Sequence, residues 1–110
     1  MVESGVLVQS DSILLELSRK QSQLEALSRR FGVTRLELFG SALSARFSDS
    51  SDLDFLVWFA DAPPAQRATD YFDLWFALED LLQRRVDLVV AKAIINPFFE
   101  CSTTQVIYAA

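Results

Sequence analysis

The stretch Leu38-Phe39-Gly40-Ser41, followed after ten residues by Asp52-Leu53-Asp54-Phe55-Leu56-Val57, decides the fold of this chain. If the second segment is a β-strand, Asp52 and Asp54 project from the same face, because side chains alternate along a strand. Two carboxylates repel each other by roughly 4 kcal/mol at about 4 Å in an effective dielectric of about 20. A fold retains such a pair when a cation lies between them. Hard divalent ions such as Mg²⁺ prefer these oxygen ligands and often bring a substrate phosphate.

A third carboxylate, Asp87, lies within Arg85-Val86-Asp87-Leu88-Val89-Val90. A buried charge among apolar neighbours is unfavourable without a partner. If this strand lies beside the one that carries Asp52 and Asp54, the carboxylates converge. Two metal ions about 3.5–4 Å apart can then hold the attacking and leaving oxygens of a phosphoryl transfer. The third acid can accept the proton of the attacking hydroxyl.

Gly40 and Ser41 are the predicted phosphate contacts. Glycine lets the backbone approach a ligand closely. The serine hydroxyl and the N–H groups that begin a following helix can hold phosphate oxygens. The ten-residue return from Ser41 to Asp52 lets the phosphate contacts and the metal ligands meet.

Each of these features also has a purely structural explanation. A lone Asp-x-Asp is usually a solvated turn and a strand cap, and a lone Gly-Ser is usually a turn. Asp87 alone can pair with Arg84 or Arg85. Their occurrence together, with a third acid on a strand, favours the metal site.

Composition limits the possible functions. The chain has 110 residues, of which 51% are apolar and 23% charged, as in a globular domain. Its net charge of −5 argues against a broad nucleic-acid-binding surface. The absence of histidine excludes imidazole bases and His-ligated zinc. Acid–base chemistry therefore falls to carboxylates.

The predicted location is the cytoplasm, without membrane association. The single Cys101 forms no internal disulfide, which suits a reducing compartment. Apolar runs are much shorter than the roughly 20 residues that span a bilayer. The N-terminus lacks the pattern of a signal peptide.

The spacing of apolar residues predicts an α/β fold in the order α-β-α-β-α-β-(α)-β, with helices flanking a small mixed sheet. Residues 1–10 are predicted to be loose and residues 11–110 to form one domain. A first helix, capped by Ser10 or Asp11, runs to about Arg30. Gly32 follows as the residue that terminates it. The other predicted elements are a strand at Thr34–Phe39, a short helix at Ala42–Phe47, a strand at Asp52–Phe59, a helix at Ala65–Arg84, and strands at Arg85–Val90 and Thr104–Tyr108.

Aromatic residues point to a protein interface. Nine Phe and two Trp are many for this length. Tyr71, Phe72, Trp75 and Phe76 span more than a narrow helical stripe, which favours partial exposure. These residues therefore predict a homodimer or a hetero-oligomer.

Together, Gly40-Ser41, Asp52-Leu53-Asp54 and Asp87 resemble the signature of the DNA polymerase β-like nucleotidyltransferase superfamily. Over roughly residues 11–110 the chain resembles the minimal (MNT-type) nucleotidyltransferases. The segments that carry this resemblance are Arg35–Ser41, Ser51–Val57, Val86–Val89, Asn96–Phe98 and Val106–Ala109.

The resemblance implies a fold like the palm of polymerase β and a role for each matched residue. Gly40 and Ser41 would contact the phosphates of ATP. Asp52 and Asp54 would bind two Mg²⁺ ions, and Asp87 would be the third ligand and the base. Relatives often carry an arginine after the serine and a glycine three residues later, where this chain has Ala42 and Ala45.

The resemblance also implies a function. Many minimal nucleotidyltransferases are antitoxins of a HEPN-domain toxin, and they silence this small RNase by transferring AMP from ATP to one of its tyrosines. Two alternatives remain: an antitoxin that acts only by binding its toxin, and a nucleotidyltransferase that modifies a small molecule. The second would need an acceptor-binding half that a chain of 110 residues hardly accommodates.

Overall fold

A computed structural model describes residues 9–43, 51–91 and 104–110 of the protein. Within these ranges, the four predicted strands and the long helix before the third strand are present. The elements are α1 (Gln9–Arg19), α2 (Gln21–Arg30), β1 (Val33–Phe39), β2 (Leu53–Phe59), α3 (Pro64–Leu82), β3 (Val86–Val90) and β4 (Thr104–Ala109).

The four strands form one mixed sheet in the order β3-β2-β1-β4. Strand β1 pairs antiparallel with β2 and with β4, whereas β2 and β3 run parallel. The parallel pair is joined through α3, because a parallel connection must return the chain to the end of the sheet at which it started. The prediction of a small mixed sheet with helices is confirmed.

The predicted single helix up to Arg30 was wrong, because the helix breaks at Lys20. The backbone of Lys20 has φ −101° and ψ 15° and separates α1 from α2. Its ammonium group donates a hydrogen bond to the carbonyl of Leu81 on α3, at 2.9 Å. The apolar spacing continues through the break, since Leu17 and Leu24 are both buried. Apolar periodicity therefore did not reveal it. Gly32 ends α2, as predicted, with φ +73°.

Two other predicted elements lie partly or wholly outside the described residues. Of the helix predicted at Ala42–Phe47, the described part is residues 42–43, which belong to a 3₁₀ turn at Gly40–Leu43 that contacts α1. The predicted helical segment between β3 and β4 falls within residues 92–103, outside the description, as do residues 1–8 and 44–50.

The helices cover one face of the sheet and leave the functional side chains on the other. Leu53, Phe55 and Val57 point into the helix-side core, which includes Leu24 and Leu74. Alternation along β2 therefore sends its even-numbered residues to the opposite face. Leu56, on that face, is also buried, so β2 is buried on both faces at its centre. The buried apolar residues are Ile13, Leu17, Leu24, Phe31, Val33, Leu36, Leu38, Leu53, Phe55, Leu56, Val57, Phe59, Leu74, Leu78, Leu82, Val86, Leu88 and Ile107.

The aromatic residues of α3 divide between core and surface. Tyr71 and Trp75 pack against the core, while the side chains of Phe72 and Phe76 are 52% and 65% exposed. The prediction of partial exposure is thus correct for Phe72 and Phe76. Within the described residues, none of the helices has the length and apolarity to cross a membrane.

Candidate active site

Asp54 and Asp87 face each other across the parallel strands β2 and β3. The register pairs Asp54 with Asp87, and on its other side β2 pairs Asp54 with Phe39 of β1. Laterally paired residues of a sheet project from the same face. Because Leu53 and Phe55 point to the helix side, Asp54 and Asp87 lie on the open face. The condition for the predicted site, a third strand beside the second, is therefore met.

The electrostatics of Asp54 reflect this crowding of carboxylates. Burial, followed by the charges of Asp87 and Asp52, raises the pKa of the Asp54 carboxyl above the ordinary value of 3.8. Burial and like charges both disfavour the ionised form. The charges of Asp87 and Asp52 therefore both act on Asp54, and a bound cation would offset this penalty.

Gly40 brings the predicted phosphate-binding turn against the carboxylate of Asp54. Its φ of +78° lies in the left-handed region, a backbone conformation that residues other than glycine rarely adopt. A Cβ at this position would overlap Oδ2 of Asp54 and lie 3.3 Å from its Cγ. Glycine is thus required twice, by its backbone conformation and by the nearby acid. Ser41 belongs to the same turn, and its side chain lies outside the description.

Asp52 pairs with an arginine that sequence reasoning did not assign to the site. Oδ1 of Asp52 lies 3.7 Å from Nε of Arg85, the residue before β3. The backbone fixes this proximity, because the N–H of Leu53 donates to the carbonyl of Arg85 at 3.0 Å. The sequence analysis had considered Arg85 as a partner of Asp87. The available signal was the two-residue spacing from Arg85 to Asp87, which puts both on one face of a strand.

The neighbouring Arg84 holds the chain that leads into β2. Its guanidinium donates a hydrogen bond to the carbonyl of Ser51 at 3.2 Å. The residues before β3 therefore contact the residues before β2 through both backbone and side chains. This packing fixes the N-terminal ends of the two parallel strands side by side. Asp52 and Arg85 lie at these ends.

Helix α3 fixes β3, and with it Asp87, from the helix side. The Tyr71 hydroxyl donates to the carbonyl of Leu88 at 2.6 Å, and the Trp75 indole N–H donates to that of Val86 at 2.7 Å. The Val86 N–H in turn donates to a carboxylate oxygen of Glu79 at 3.0 Å. Both neighbours of Asp87 in the chain are therefore anchored.

The donor set suits a hard divalent cation, although its members are not gathered around one point. Across residues 9–43, 51–91 and 104–110, no three acidic, cysteine or histidine side chains have the spacing of a metal site. Asp52 and Asp87 are exposed, so their carboxylates are free to rotate toward Asp54. Carboxylate oxygens are the ligands that Mg²⁺ prefers. The residues thus fit Mg²⁺ in chemistry, with Asp52 required to turn away from Arg85.

Comparison with known proteins identifies the family. The family model of the nucleotidyltransferase domain matches residues 20–107. The protein adenylyltransferase MntA of Thermococcus cleftensis is 32% identical over 99 residues, which span 86% of this chain and 97% of MntA.

Solved structures show the same fold. A chain provisionally described as a minimal nucleotidyltransferase superposes with a TM-score of 0.65 and 32% identity, over 78% of this chain and 84% of the other. The complex of a tri-AMPylated HEPN toxin with an MNT antitoxin, from Shewanella oneidensis, gives a TM-score of 0.58 at 19% identity, over 86% and 73% of the two chains. A toxin–antitoxin structure with AMP-PNP gives 0.60 at 21% identity, over 82% and 73%. The matched residues include Gly40, Asp54 and Asp87, and the chain belongs to the nucleotidyltransferase domain family.

Proposed function

We propose that this protein is an antitoxin that transfers AMP from ATP to a tyrosine hydroxyl of a HEPN-domain toxin in a Mg²⁺-dependent reaction. One observation carries the proposal: the parallel register sets Asp54 against Asp87 on an open sheet face, beside the Gly40 turn. Sequence similarity to a protein adenylyltransferase supports the choice of a protein as acceptor.

Two fold relatives support the identity of the substrates. In one solved complex the HEPN toxin bound to its antitoxin is tri-AMPylated, and another toxin–antitoxin structure contains AMP-PNP.

The residues of the site divide the chemistry among them. In the transfer, the toxin's tyrosine oxygen bonds to the α-phosphorus of ATP, the bond to the β-phosphate oxygen breaks, and pyrophosphate and a proton leave. Asp87 is exposed on the open face and is the group that accepts the proton. Asp52 and Asp54, with Asp87, would hold two Mg²⁺ ions, which offset the charge that develops on the phosphate oxygens. Gly40 and Ser41 bind the phosphates.

The direct test uses a purified HEPN-domain toxin, labelled ATP and Mg²⁺. We expect label to move to the toxin and the toxin's RNase activity to fall. Asp52→Asn combined with Asp54→Asn should reduce the transfer by about 100-fold or more, because the charges that hold the cations are gone. Asp73→Asn is the matched control, since Asp73 is exposed on α3 and is no part of the site.

The two alternatives predict different results in the same experiment. If the double variant loses transfer but still neutralises the toxin, the protein acts by binding alone. If label moves to a small molecule in the absence of any toxin, the acceptor is not a protein. The proposal requires that transfer and neutralisation fall together in the double variant and persist in Asp73→Asn.

A further inference from the structure

We propose that Arg85 positions the nucleotide: its guanidinium binds the triphosphate, and a cation that binds Asp52 competes with it for that carboxylate. This inference rests on the proposed function and adds to it a specific phosphate-binding residue. It assigns a role to a side chain that none of the sequence motifs included.

The sheet register puts Arg85 among the acids. Leu53 pairs with Val86 in the parallel ladder, so Asp52 and Arg85 lie side by side at the heads of β2 and β3. By alternation, Arg85 shares a face with Asp87, and Asp52 shares it with Asp54. The hydrogen bond from the Leu53 N–H to the Arg85 carbonyl, at 3.0 Å, holds the backbone of Arg85 in this place.

A basic side chain near the acids would complement the phosphates of the nucleotide. The turn Gly-Ser-Ala-Leu at residues 40–43 contains no basic side chain. The triphosphate of ATP would add negative charge beside the three acids. Guanidinium groups match phosphate oxygens in geometry and form charge-assisted hydrogen bonds with them. Among the arginines that the structure describes, Arg85 is the one that pairs with an acid of the site.

The contact between Arg85 and Asp52 is of a kind that a ligand readily replaces. At 3.7 Å the two atoms are too far apart for a good hydrogen bond, and the Arg85 side chain is 85% exposed. Such exposed pairs contribute little to stability. The guanidinium is therefore free to leave Asp52 for a phosphate, and Asp52 is then free to bind a metal ion.

The inference predicts opposite effects of Arg85→Gln on two kinds of binding. Binding of the non-hydrolysable analogue AMP-PNP, in the presence of Mg²⁺, should weaken by about tenfold or more, because a charge-assisted contact is lost. Binding of Mn²⁺ alone, followed by electron paramagnetic resonance, should strengthen by about two- to fivefold, because the competitor for Asp52 is gone. In the transfer assay, KM for ATP should rise much more than kcat falls.

Two further variants complete the experiment. Arg85→Lys keeps the charge and should recover part of the AMP-PNP affinity. Arg29→Gln is the matched control, because it removes the same charge from an exposed arginine of α2 that pairs with Glu25, on the other side of the sheet. It should bind both ligands like the unmodified protein. Thermal unfolding of each variant shows that it is folded.

The inference is wrong if Arg85→Gln binds AMP-PNP as the unmodified protein does, or if its Mn²⁺ binding weakens. Both binding measurements use the protein without a toxin, so they stand even if AMP transfer to the toxin is never observed. Conversely, transfer to the toxin by an Arg85→Gln variant with unchanged AMP-PNP affinity would support the proposed function and reject the role of Arg85.

Discussion

At Gly40, one residue serves both the backbone and the chemistry of the site. Its positive φ allows the chain to leave β1 in the 3₁₀ turn, and its missing side chain leaves room for the carboxylate of Asp54. Gly32 has a similar φ of +73°, but a Cβ there would meet only Oδ2 of Asp70, at an ordinary contact distance of 3.9 Å. A substitution at Gly32 therefore introduces backbone strain alone, whereas one at Gly40 introduces the same strain and also displaces the carboxylate of Asp54.

Gly40→Ala and Gly32→Ala form a matched pair for the first prediction. Each should destabilise the fold by about 1–2 kcal/mol, because alanine is strained at positive φ. Gly40→Ala should in addition displace Asp54 and reduce AMP transfer by about tenfold or more, while Gly32→Ala retains transfer. Urea unfolding and the labelled-ATP assay measure the two effects. Equal activity of the two variants would show that the Gly40–Asp54 contact has no part in the chemistry.

At the level of elements, α3 protects and fixes an edge of the sheet. Strand β3 is the last strand on its side of the described sheet, and edge strands expose unpaired backbone groups. Tyr71 and Trp75 donate hydrogen bonds to two of its carbonyls. Their rings pack edge to face, with 5.6 Å between the ring centroids. The aromatic side chains that the sequence suggested for an interface thus partly serve the edge strand that carries Asp87.

The second prediction concerns the pH dependence of this anchoring. Burial, and then the charge of Asp87, raises the pKa of the Tyr71 hydroxyl above 10.0. Because the folded pKa lies above the unfolded one, the contribution of Tyr71 to stability is complete below pH 10.0 and is lost as pH rises through the folded pKa. Tyr71→Phe should therefore be less stable than the unmodified protein by about 1 kcal/mol at neutral pH, and this difference should disappear in strong alkali.

Urea unfolding between neutral and alkaline pH tests this expectation. Tyr108→Phe is the control, because the chain has two tyrosines and Tyr108 lies on β4, at the other edge of the sheet. The variant that retains only Tyr71 should titrate by absorbance above the ordinary tyrosine range. A stability difference between Tyr71→Phe and the unmodified protein that is the same at every pH would contradict this account.

At the scale of the whole molecule, one helix-side core supports the sheet and its open face. Phe55 lies at the centre of that core, fully buried, between Leu38 of β1 and Leu88 of β3 in the register. Asp54 precedes it on β2 and points the other way. The same strand therefore contributes to the core and carries Asp54 of the site. A packing defect at Phe55 should thus affect both the stability of the fold and the geometry of the site.

The third prediction compares two Phe→Ala substitutions. Phe55→Ala should destabilise the fold by about 3–5 kcal/mol, because it removes buried surface and leaves a cavity. This is a large part of the roughly 5–15 kcal/mol that stabilises a domain. Phe76→Ala, at a side chain that is 65% exposed, should change stability by about 0.5 kcal/mol or less. Urea unfolding measures both, and similar losses at the two positions would contradict the assignment of the core.

The sequence by itself determined the strands, the α/β class and the acids of the candidate site. These depend on local properties: the two-residue spacing of Asp52 and Asp54 on a strand, the apolar spacing in the helices, and glycine at the turns. The position of Asp87 beside Asp54 was a condition of the predicted site, and the register of β2 with β3 meets it. The roles of these residues in binding metal and phosphate remain predictions.

Only the tertiary structure decided the break at Lys20 and the partner of Asp52. Lys20 binds the carbonyl of Leu81, and Arg85 lies beside Asp52, so each contact joins segments far apart in the chain. Local patterns carry no information about such contacts, because they depend on how two elements are packed and registered. The register of β2 with β3 thus placed a positive charge among three negative ones, where periodicity alone indicated only the acids.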